Sequence, residues 1–306
     1  MISLGARIVK SAIRLFTFKY RRKQASVSRN IRVKPRPYKC PEDLNHTVEY
    51  FNGVKVQILS PENPSRDKII LHFHGGGGAI GTDGLFYRRV AEKYARISNA
   101  KVYSIDYRTG KEVVQPSFLD ECFLAYKGLL VSGLKGEDIV AVGDSMGANL
   151  MLSVFLKARD EGLAMPRAAV SVCAYADCTA SGESYRKNCH KDPMYALPFY
   201  MSADKYADRL RRLPAYIGDC DPRDPYISPA FADYKGFPKM LVVVGDCEVD
   251  ESDSDMIYLR AVEAGVEVEY KKYKGMFHDF LYAVPFLKES KQAWRDIEKF
   301  IAEAQR

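Results

Sequence analysis

The sequence predicts an α/β fold with a mostly parallel central sheet and helices on both faces. Short apolar runs of strand length alternate with longer segments of helical periodicity along most of the chain. Runs such as residues 139–142 are apolar throughout, as expected for strands that are buried on both faces. At 306 residues and 47% hydrophobic content, the chain can form one large α/β domain or two smaller ones.

The predicted elements follow one another in a regular order. The first strand, residues 54–59, alternates apolar and polar side chains. The other predicted strands cover residues 68–73, 101–105, 139–142, 168–174, 240–244 and 266–273. Apolar side chains at helical spacing predict helices over residues 85–97, 118–131, 148–156, 256–264 and 289–304. No internal repeat interrupts this order.

Positive charge is concentrated at the start of the chain. Residues 1–40 contain twelve Lys and Arg residues and no acidic residue, whereas the whole chain has a net charge of +7. Residues 41–306 hold 34 basic and 39 acidic side chains, a net charge of −5. We therefore expect no nucleic-acid partner, because no pattern of basic and aromatic residues recurs after the arm.

The arm itself predicts an amphipathic basic helix over residues 2–20. Apolar side chains recur every three or four residues, and basic side chains keep a similar spacing on another face. Basic residues interrupt any apolar core of a secretory signal. Three interpretations stay open: a helix packed over the active site, a membrane-surface helix within residues 1–23, and an organelle transit peptide. Residues 29–41 are basic and contain three prolines, which predicts an extended linker.

Residues 178–229 depart from the alternation of strands and helices. They contain six prolines and lack a clear core strand. A segment of this length without a core strand, inside a compact domain, more often has a function than not. We predict a main domain over residues 46–306 with a cap insertion at about 178–229, and an arm, residues 1–45, that forms part of the cap.

The cysteines and the hydropathy of the sequence indicate in which cellular compartment the protein resides. The seven cysteines are odd in number, scattered and without C-x-x-C spacing, so they predict neither a disulfide framework nor a zinc site. No uncharged apolar run reaches the roughly 18 residues of a membrane span. We expect a cytoplasmic protein, with membrane association through the arm and homodimer formation both left open.

A candidate nucleophile lies between the predicted strand 139–142 and the helix that follows it. Residues 143–147 read G-D-S-M-G, which matches the G-x-S-x-G nucleophile elbow. A serine on a sharp strand-to-helix turn adopts a strained backbone, and side chains two residues away would collide. Gly143 and Gly147 remove those side chains and leave the hydroxyl of Ser145 exposed near a helix N-terminus.

A serine hydroxyl needs a base, and His278 is the best placed of five histidines. It follows the last predicted strand, and loops at the carboxyl ends of parallel strands share one rim of the sheet. A carboxylate should precede it in the order Ser, acid, His. The loop after strand 240–244 offers Asp246, Glu248 and Asp250, and spacing alone does not choose among them.

Backbone N–H groups would bind the oxyanion of the intermediate. Met146 supplies one, and the glycines at 75–78, after strand 68–73, supply others. The same glycines form a literal G-x-G-x-x-G from Gly76 to Gly81, with Asp106 ending the next strand, which is a dinucleotide-binding alternative. That alternative leaves the elbow and His278 unexplained, so the hydrolase interpretation is preferred.

Taken together, the motifs resemble those of the hormone-sensitive lipase-like branch of the α/β-hydrolases, which includes bacterial small-ester hydrolases. The resemblance covers most of residues 45–306 and rests on H-G-G-G at 74–77, D-Y-R at 106–108, G-D-S-M-G-A-N-L at 143–150, S-G-E-S-Y at 181–185, K-D-P-M at 191–194, I-S-P-A-F at 227–231 and G-M-F-H at 275–278. It implies an α/β-hydrolase fold with a helical cap formed by the N-terminal helices and an insertion.

The resemblance also implies residue roles. The motif that begins with His74 and Gly75 would place the N–H groups of Gly76 and Gly77 in the oxyanion hole. In the acid loop, Glu248 occupies the acid's position. Two departures stand out: Met146 replaces a small residue after the nucleophile, and Asp250 replaces the usual leucine. Residues 109–112 also differ from the family pattern.

We therefore expect a serine carboxylesterase that hydrolyses small or short-chain acyl esters, such as acetyl esters, through an acyl-enzyme. Its triad would be Ser145, His278 and Glu248, its partner a small-molecule ester, and it would need no metal or cofactor. Two alternatives remain: a non-catalytic ligand-binding member of the fold, and a peptidase or amidase of the same fold.

Overall fold

A single sheet runs through the centre of the fold. In this computed structural model the described residues are 2–22, 37–65, 67–82, 85–110, 112–195, 201–205, 208 and 217–306. Within them, eight strands form one sheet: β1 (Leu44–Phe51), β2 (Val54–Pro61), β3 (Ile69–Phe73), β4 (Lys101–Ile105), β5 (Ile139–Asp144), β6 (Ala168–Val172), β7 (Lys239–Gly245) and β8 (Val268–Tyr273). Their spatial order is β1-β2-β4-β3-β5-β6-β7-β8.

The sheet is mostly parallel, as predicted. Only the pairs β1–β2 and β2–β4 are antiparallel, and β3 to β8 run parallel to one another. The carboxyl ends of β3, β5, β7 and β8 therefore share one rim of the sheet. The glycine loop, the serine turn, the acid loop and the histidine loop all start at that rim.

Helices cover both faces of the sheet, which confirms the predicted class. The described helices are α1 (Leu4–Arg22), α2 (Leu85–Ser98), α3 (Ser117–Val131), α4 (Met146–Asp160), α5 (Ser184–Lys187), α6 (Glu251–Glu263), α7 (Phe280–Ala283) and α8 (Lys288–Ala304). One apolar cluster lies between the sheet and α3, α4 and α6. The other lies between the sheet and α2 and α8, and it also takes in the inner side of α1.

One strand differs from the sequence prediction, which began the sheet at residue 54. The structure adds β1 at the edge, with His46 inside it rather than before the first strand. The physical reason is its exposure: only the two end residues of β1 are buried, so apolar side chains do not mark it in the sequence. The imidazole of His46 lies 3.0 Å from the side-chain oxygen of Gln57 on β2.

Two predicted segments lie partly outside the described residues. Most of the predicted linker, residues 29–36, falls there, as do parts of the predicted cap insertion, residues 196–200, 206–207 and 209–216. The described part of that insertion contains α5 and a small apolar cluster around Tyr185, which packs on Val249 of the acid loop. Among the described helices, none is long and apolar enough to pass through a bilayer.

Candidate active site

Ser145 occupies the turn between β5 and α4. Its backbone has φ +52° and ψ −123°, a combination that non-glycine residues rarely adopt. A Cβ added to Gly143 would lie 2.7 Å from the carbonyl oxygen of Gly147, and one added to Gly147 would lie 2.2 Å from the carbonyl oxygen of Phe73. The two glycines are thus needed for close backbone contacts that hold the serine in this conformation.

We expect Gly147→Ala to lower the free energy of unfolding by about 3 kcal/mol or more, because the added methyl would overlap the backbone of Phe73 and His74. Urea denaturation of the purified variant measures this. Gly5→Ala is the matched control: in α1 the new methyl would meet only ordinary contacts, the nearest being Leu287 at 3.4 Å. Equal stabilities for the two variants would show that the close contact at Gly147 is not rigid.

His278 reaches Ser145 from the loop after β8. Its Nε2 lies 2.8 Å from the Oγ of Ser145, and both residues are 8% exposed. The ring of Tyr195 packs edge-on against the imidazole, with ring centres 5.2 Å apart. Two residues that are 133 positions apart in the chain are therefore within hydrogen-bond distance in a nearly closed site.

Two carboxylates face the other ring nitrogen of His278. Both oxygens of Asp250 lie near Nδ1, at 3.2 and 3.1 Å, whereas the nearest oxygen of Glu248 lies at 3.6 Å. The third candidate, Asp246, points away and accepts a hydrogen bond from the N–H of Gly275. The structure thus brings the predicted Glu248 to the imidazole but gives the direct hydrogen bond to Asp250, the residue at the usual leucine position.

The two carboxylates have different surroundings. Tyr195 donates its hydroxyl to Asp250 at 2.5 Å. One oxygen of Glu248 accepts hydrogen bonds from the thiol of Cys173, at 3.0 Å, and from the N–H of Gly245. Its other oxygen is buried and has no hydrogen-bond partner among the described residues. A buried, unpartnered carboxylate oxygen is costly when the group is charged, so this environment favours a protonated Glu248.

Shifts in pKa follow from this arrangement. Burial raises the pKa of Glu248 to about 8, and the nearby imidazole of His278 opposes part of that rise. Burial by itself would lower the pKa of His278, but the charges of Asp250 and Asp279 raise it well above 6.5, with help from the hydrogen bond to Asp250. The neighbouring carboxylates therefore favour the charged form of the imidazole, whereas burial favours the protonated form of Glu248.

Asp192 ties the acid loop to the histidine loop, a role that sequence analysis missed. One of its oxygens accepts the N–H groups of Val249 and His278, at 3.3 and 3.2 Å. Nearby, Asn188 donates to the carbonyl oxygen of Glu248 at 2.8 Å. The K-D-P-M motif at 191–194 was the available signal, but no periodicity linked it to either loop.

The glycine loop after β3 adopts a backbone that glycine permits. Gly76, Gly77 and Gly78 have φ values of +100°, +60° and +67°. A Cβ added to Gly76 would lie 2.4 Å from the carbonyl oxygen of Ile80, whereas one added to Gly77 would meet nothing within 4 Å. Among the described residues, neither Gly76 nor Gly77 donates its N–H to a partner. These amides are available to a ligand.

Buried polar contacts hold the start of this loop beside the serine turn. The ring of His74 stacks on that of Tyr107, with ring centres 4.2 Å apart, and the hydroxyl of Tyr107 donates to the carbonyl oxygen of His74 at 2.7 Å. The N–H of Gly75 donates to the side chain of Asp144, which directly precedes Ser145. The glycine loop and the turn that carries Ser145 are therefore positioned together. The other buried histidine near the motif, His72, lies 2.9 Å from the hydroxyl of Ser104.

Met146 begins α4 directly after Ser145. Its side chain is buried, with the sulfur 3.4 Å from the position that a Cβ on Gly78 would occupy. The same position lies 2.9 Å from the ring of Phe118. Met146 therefore fills space between the glycine loop and α3 that a smaller residue would leave open.

One group among the described residues offers a set of metal-ligand atoms: Glu248, Asp250 and His278, whose atoms lie within 4.8 Å of one another. These atoms already face one another, and Tyr195 donates to Asp250. The His278 Nε2 that remains lies against Ser145. The ligand atoms of Asp250 and His278 are thus already used in internal hydrogen bonds, which fits an acid–base pair better than a metal centre.

Comparison with known proteins identifies relatives of this site. A family model described as alpha/beta hydrolase fold matches residues 70–282. An esterase from Acinetobacter venetianus is 33% identical over 249 residues, which cover 81% of this chain and 78% of that one. A putative acetyl-hydrolase, LipR, from Mycobacterium tuberculosis is 30% identical over 245 residues, covering 80% of this chain and 76% of that one.

Solved structures share the whole architecture. A hormone-sensitive lipase from a metagenome library superposes with a TM-score of 0.82 at 27% identity, covering 100% of both chains. The esterase EstE5, soaked with p-nitrophenyl butyrate, gives a TM-score of 0.80 at 27% identity and covers 99% of both chains. The resemblance inferred from the sequence motifs is confirmed by these matches.

Proposed function

Because the chain belongs to the α/β-hydrolase fold family and to its hormone-sensitive lipase-like esterases, we propose that it is a serine carboxylesterase acting on short-chain acyl esters. The observation that carries the proposal is the 2.8 Å contact between the Oγ of Ser145 and the Nε2 of His278, at a strained turn. The relatives named esterase and acetyl-hydrolase support hydrolysis of carboxylic esters.

The first half of the reaction forms an acyl-enzyme. The Oγ of Ser145 attacks the ester carbonyl carbon while Nε2 of His278 takes the hydroxyl proton. The carbonyl oxygen becomes an oxyanion, and the N–H groups of Gly76, Gly77 and Met146 donate hydrogen bonds to it. When the carbon–oxygen bond to the alcohol breaks, His278 returns the proton to the leaving alcohol.

The second half releases the acid. Water takes the place of the alcohol, and Nε2 of His278 removes one of its protons as its oxygen attacks the acyl carbon. The bond to Ser145 then breaks, and the proton on His278 returns to the serine oxygen. The protein's own groups supply every proton transfer in this cycle.

For the acid we propose a division of roles that the sequence did not predict. Asp250 accepts the hydrogen bond from Nδ1–H of His278, fixes the tautomer and stabilises the imidazolium. Glu248, whose pKa burial raises to about 8, stays protonated near neutral pH and packs beside the pair without adding a second negative charge. The carboxylate predicted from the family pattern then acts as a neutral neighbour.

Met146 supports the preference for short acyl groups. We expect Met146→Ala to raise the ratio of kcat/KM for p-nitrophenyl hexanoate to that for the acetate by about tenfold, because the shortened side chain leaves room for extra methylenes. Met151→Ala, at another buried methionine of α4, is the matched control and should leave the ratio unchanged. If the ratio of the two kcat/KM values stayed unchanged in both variants, the acyl group would not bind beside Met146.

The proposal is tested by turnover and labelling of the purified chain. We expect hydrolysis of p-nitrophenyl acetate and butyrate, slow or no cleavage of the matching anilides, and covalent labelling by a fluorophosphonate. Faster cleavage of the anilides would indicate an amidase. Absence of both turnover and labelling would indicate a ligand-binding protein on this fold and would refute the proposal.

A further inference from the structure

Helix α1 has an inner apolar face that packs on the core and an outer apolar stripe whose side chains are largely exposed. The inner face contributes Ala6, which is fully buried, and the partly buried Ile2, Val9 and Ile13 to the core cluster beneath it. Thr17 lies on the same side and is also buried. This is the amphipathic pattern that the sequence predicts for residues 2–20.

The outer face carries a second apolar set. Leu4, Ile8, Leu15 and Phe18 are 73%, 60%, 78% and 45% exposed, and their spacing of four, seven and three residues puts them on one stripe of the helix. Of the thirteen exposed large apolar side chains among the described residues, five lie in α1, since Phe16 is also 67% exposed. An apolar concentration of this kind on one exposed element marks an interaction surface.

The charge of α1 defines the partner. The helix contains six basic residues and no acidic one. Lys10 and Arg14 donate to the backbone carbonyl groups of Gly275 and of residues 190–191, and Arg7 is exposed. A basic flank beside an apolar stripe complements a surface with apolar chains below and negative head groups above. Two copies of α1 facing each other would instead bring together two helices that carry only positive charge, which disfavours pairing through this face.

We infer that the outer face of α1 docks the enzyme on an anionic lipid surface. The stripe of Leu4, Ile8 and Leu15 enters the boundary between head groups and acyl chains, and the exposed Arg7 contacts lipid phosphates. Binding of this kind stays on the surface, and it is independent of the chemistry proposed for Ser145.

The docked helix lies directly over the rim of the active site. The inner side of α1 contacts the loop that carries the base, through Lys10 on the carbonyl oxygen of Gly275, and the cap segment, through the hydroxyl of Thr17 and the carbonyl oxygen of Pro193 at 3.4 Å. Docking would therefore hold the histidine and acid loops close to the lipid surface, where acyl esters of low water solubility accumulate.

Vesicle flotation of the full chain tests this inference. We expect the chain to bind vesicles of phosphatidylcholine that contain roughly 30% phosphatidylserine. Binding to vesicles of phosphatidylcholine alone should be at least about tenfold weaker. The triple variant Leu4→Ser, Ile8→Ser, Leu15→Ser should bind the anionic vesicles at least tenfold more weakly. The matched control, Val131→Ser, Leu259→Ser, Val262→Ser, removes exposed apolar side chains from α3 and α6 and should bind normally.

Two further measurements keep the test decisive. Arg7→Glu leaves the apolar packing intact and should weaken binding to anionic vesicles by about tenfold or more, even if the triple variant does not fold. Ester turnover in solution should be equal in Arg7→Glu and the unchanged chain. Failure of the chain to bind anionic vesicles, equal binding by the triple variant and its control, or loss of a dimer in the triple variant on gel filtration would overturn the inference.

Discussion

Replacing Ser145 with alanine is expected to lower kcat for p-nitrophenyl butyrate by about 10⁶-fold, the size of effect seen when a serine hydrolase loses its nucleophile. The reason is that His278 has no other hydroxyl at 2.8 Å from its Nε2 among the described residues. Residual turnover would come from the oxyanion donors and from substrate binding. Initial rates of p-nitrophenolate release, compared at equal enzyme concentration, measure the loss.

Ser153→Ala is the matched control for this substitution. Ser153 lies on the same helix, α4, is fully buried, and its hydroxyl has no hydrogen-bond partner among the described residues. The same chemical change there should leave kcat within about twofold, because no polar partner is lost. If Ser145→Ala kept more than about a hundredth of the turnover, Ser145 would not be the nucleophile.

The second large effect is expected at Asp250. Asp250→Asn should lower kcat by about 10⁴-fold, because an amide in place of the carboxylate no longer holds the required tautomer or stabilises the imidazolium. Glu248→Gln should cost about tenfold or less, because a neutral amide resembles the protonated carboxyl group that burial favours at this position. Both variants keep the size and shape of the original side chain, so each serves as a control for the other.

The pH profile separates the roles further. The pKa of His278 lies well above 6.5, and among the neighbouring charges Asp250 raises it most. Because the base must be unprotonated, kcat/KM should fall as the pH drops through the pKa of His278. Asp250→Asn removes this charge and should move the acidic limb of the profile to lower pH; Glu248→Gln should move it little. The reverse pattern, with the larger loss and the larger shift in Glu248→Gln, would return the acid role to Glu248.

The parallel strands and the pairing of Ser145 with His278 could be predicted from the sequence. Buried parallel strands leave continuous apolar runs, and their carboxyl ends must share a rim, so Ser145 and His278 could be matched without knowing any distance. The glycines of the turn could also be recognised, because a side chain at Gly147 would collide with nearby backbone atoms.

The orientation of the acid could not be predicted in this way. Glu248 and Asp250 lie two residues apart in an irregular loop, where no periodicity tells which side chain points at the imidazole. The decisive contacts come from distant segments: Tyr195 holds Asp250, and Asp192 joins Val249 to His278. Contacts between loops so far apart in the chain leave no local signal in the sequence.

Exposed elements were missed or incompletely described for a related reason. Strand β1 lies at the sheet edge with its middle residues outside the core, so it lacks the apolar run that marks the other strands. On α1, the sequence pattern predicted one apolar side, and the structure adds an outer stripe with Leu4, Ile8 and Leu15 that is largely exposed. Only the packed structure shows which apolar residues stay uncovered.

The most direct test of the central claim is the mass of the enzyme during turnover. After rapid mixing with p-nitrophenyl butyrate and an acid quench, we expect one butyryl group on the peptide that contains Ser145, appearing within the first turnover and vanishing as the substrate is consumed. The adduct should form in Ser153→Ala and be absent from Ser145→Ala. Turnover without a covalent adduct, or an adduct on a different residue, would contradict an acyl-enzyme mechanism at Ser145.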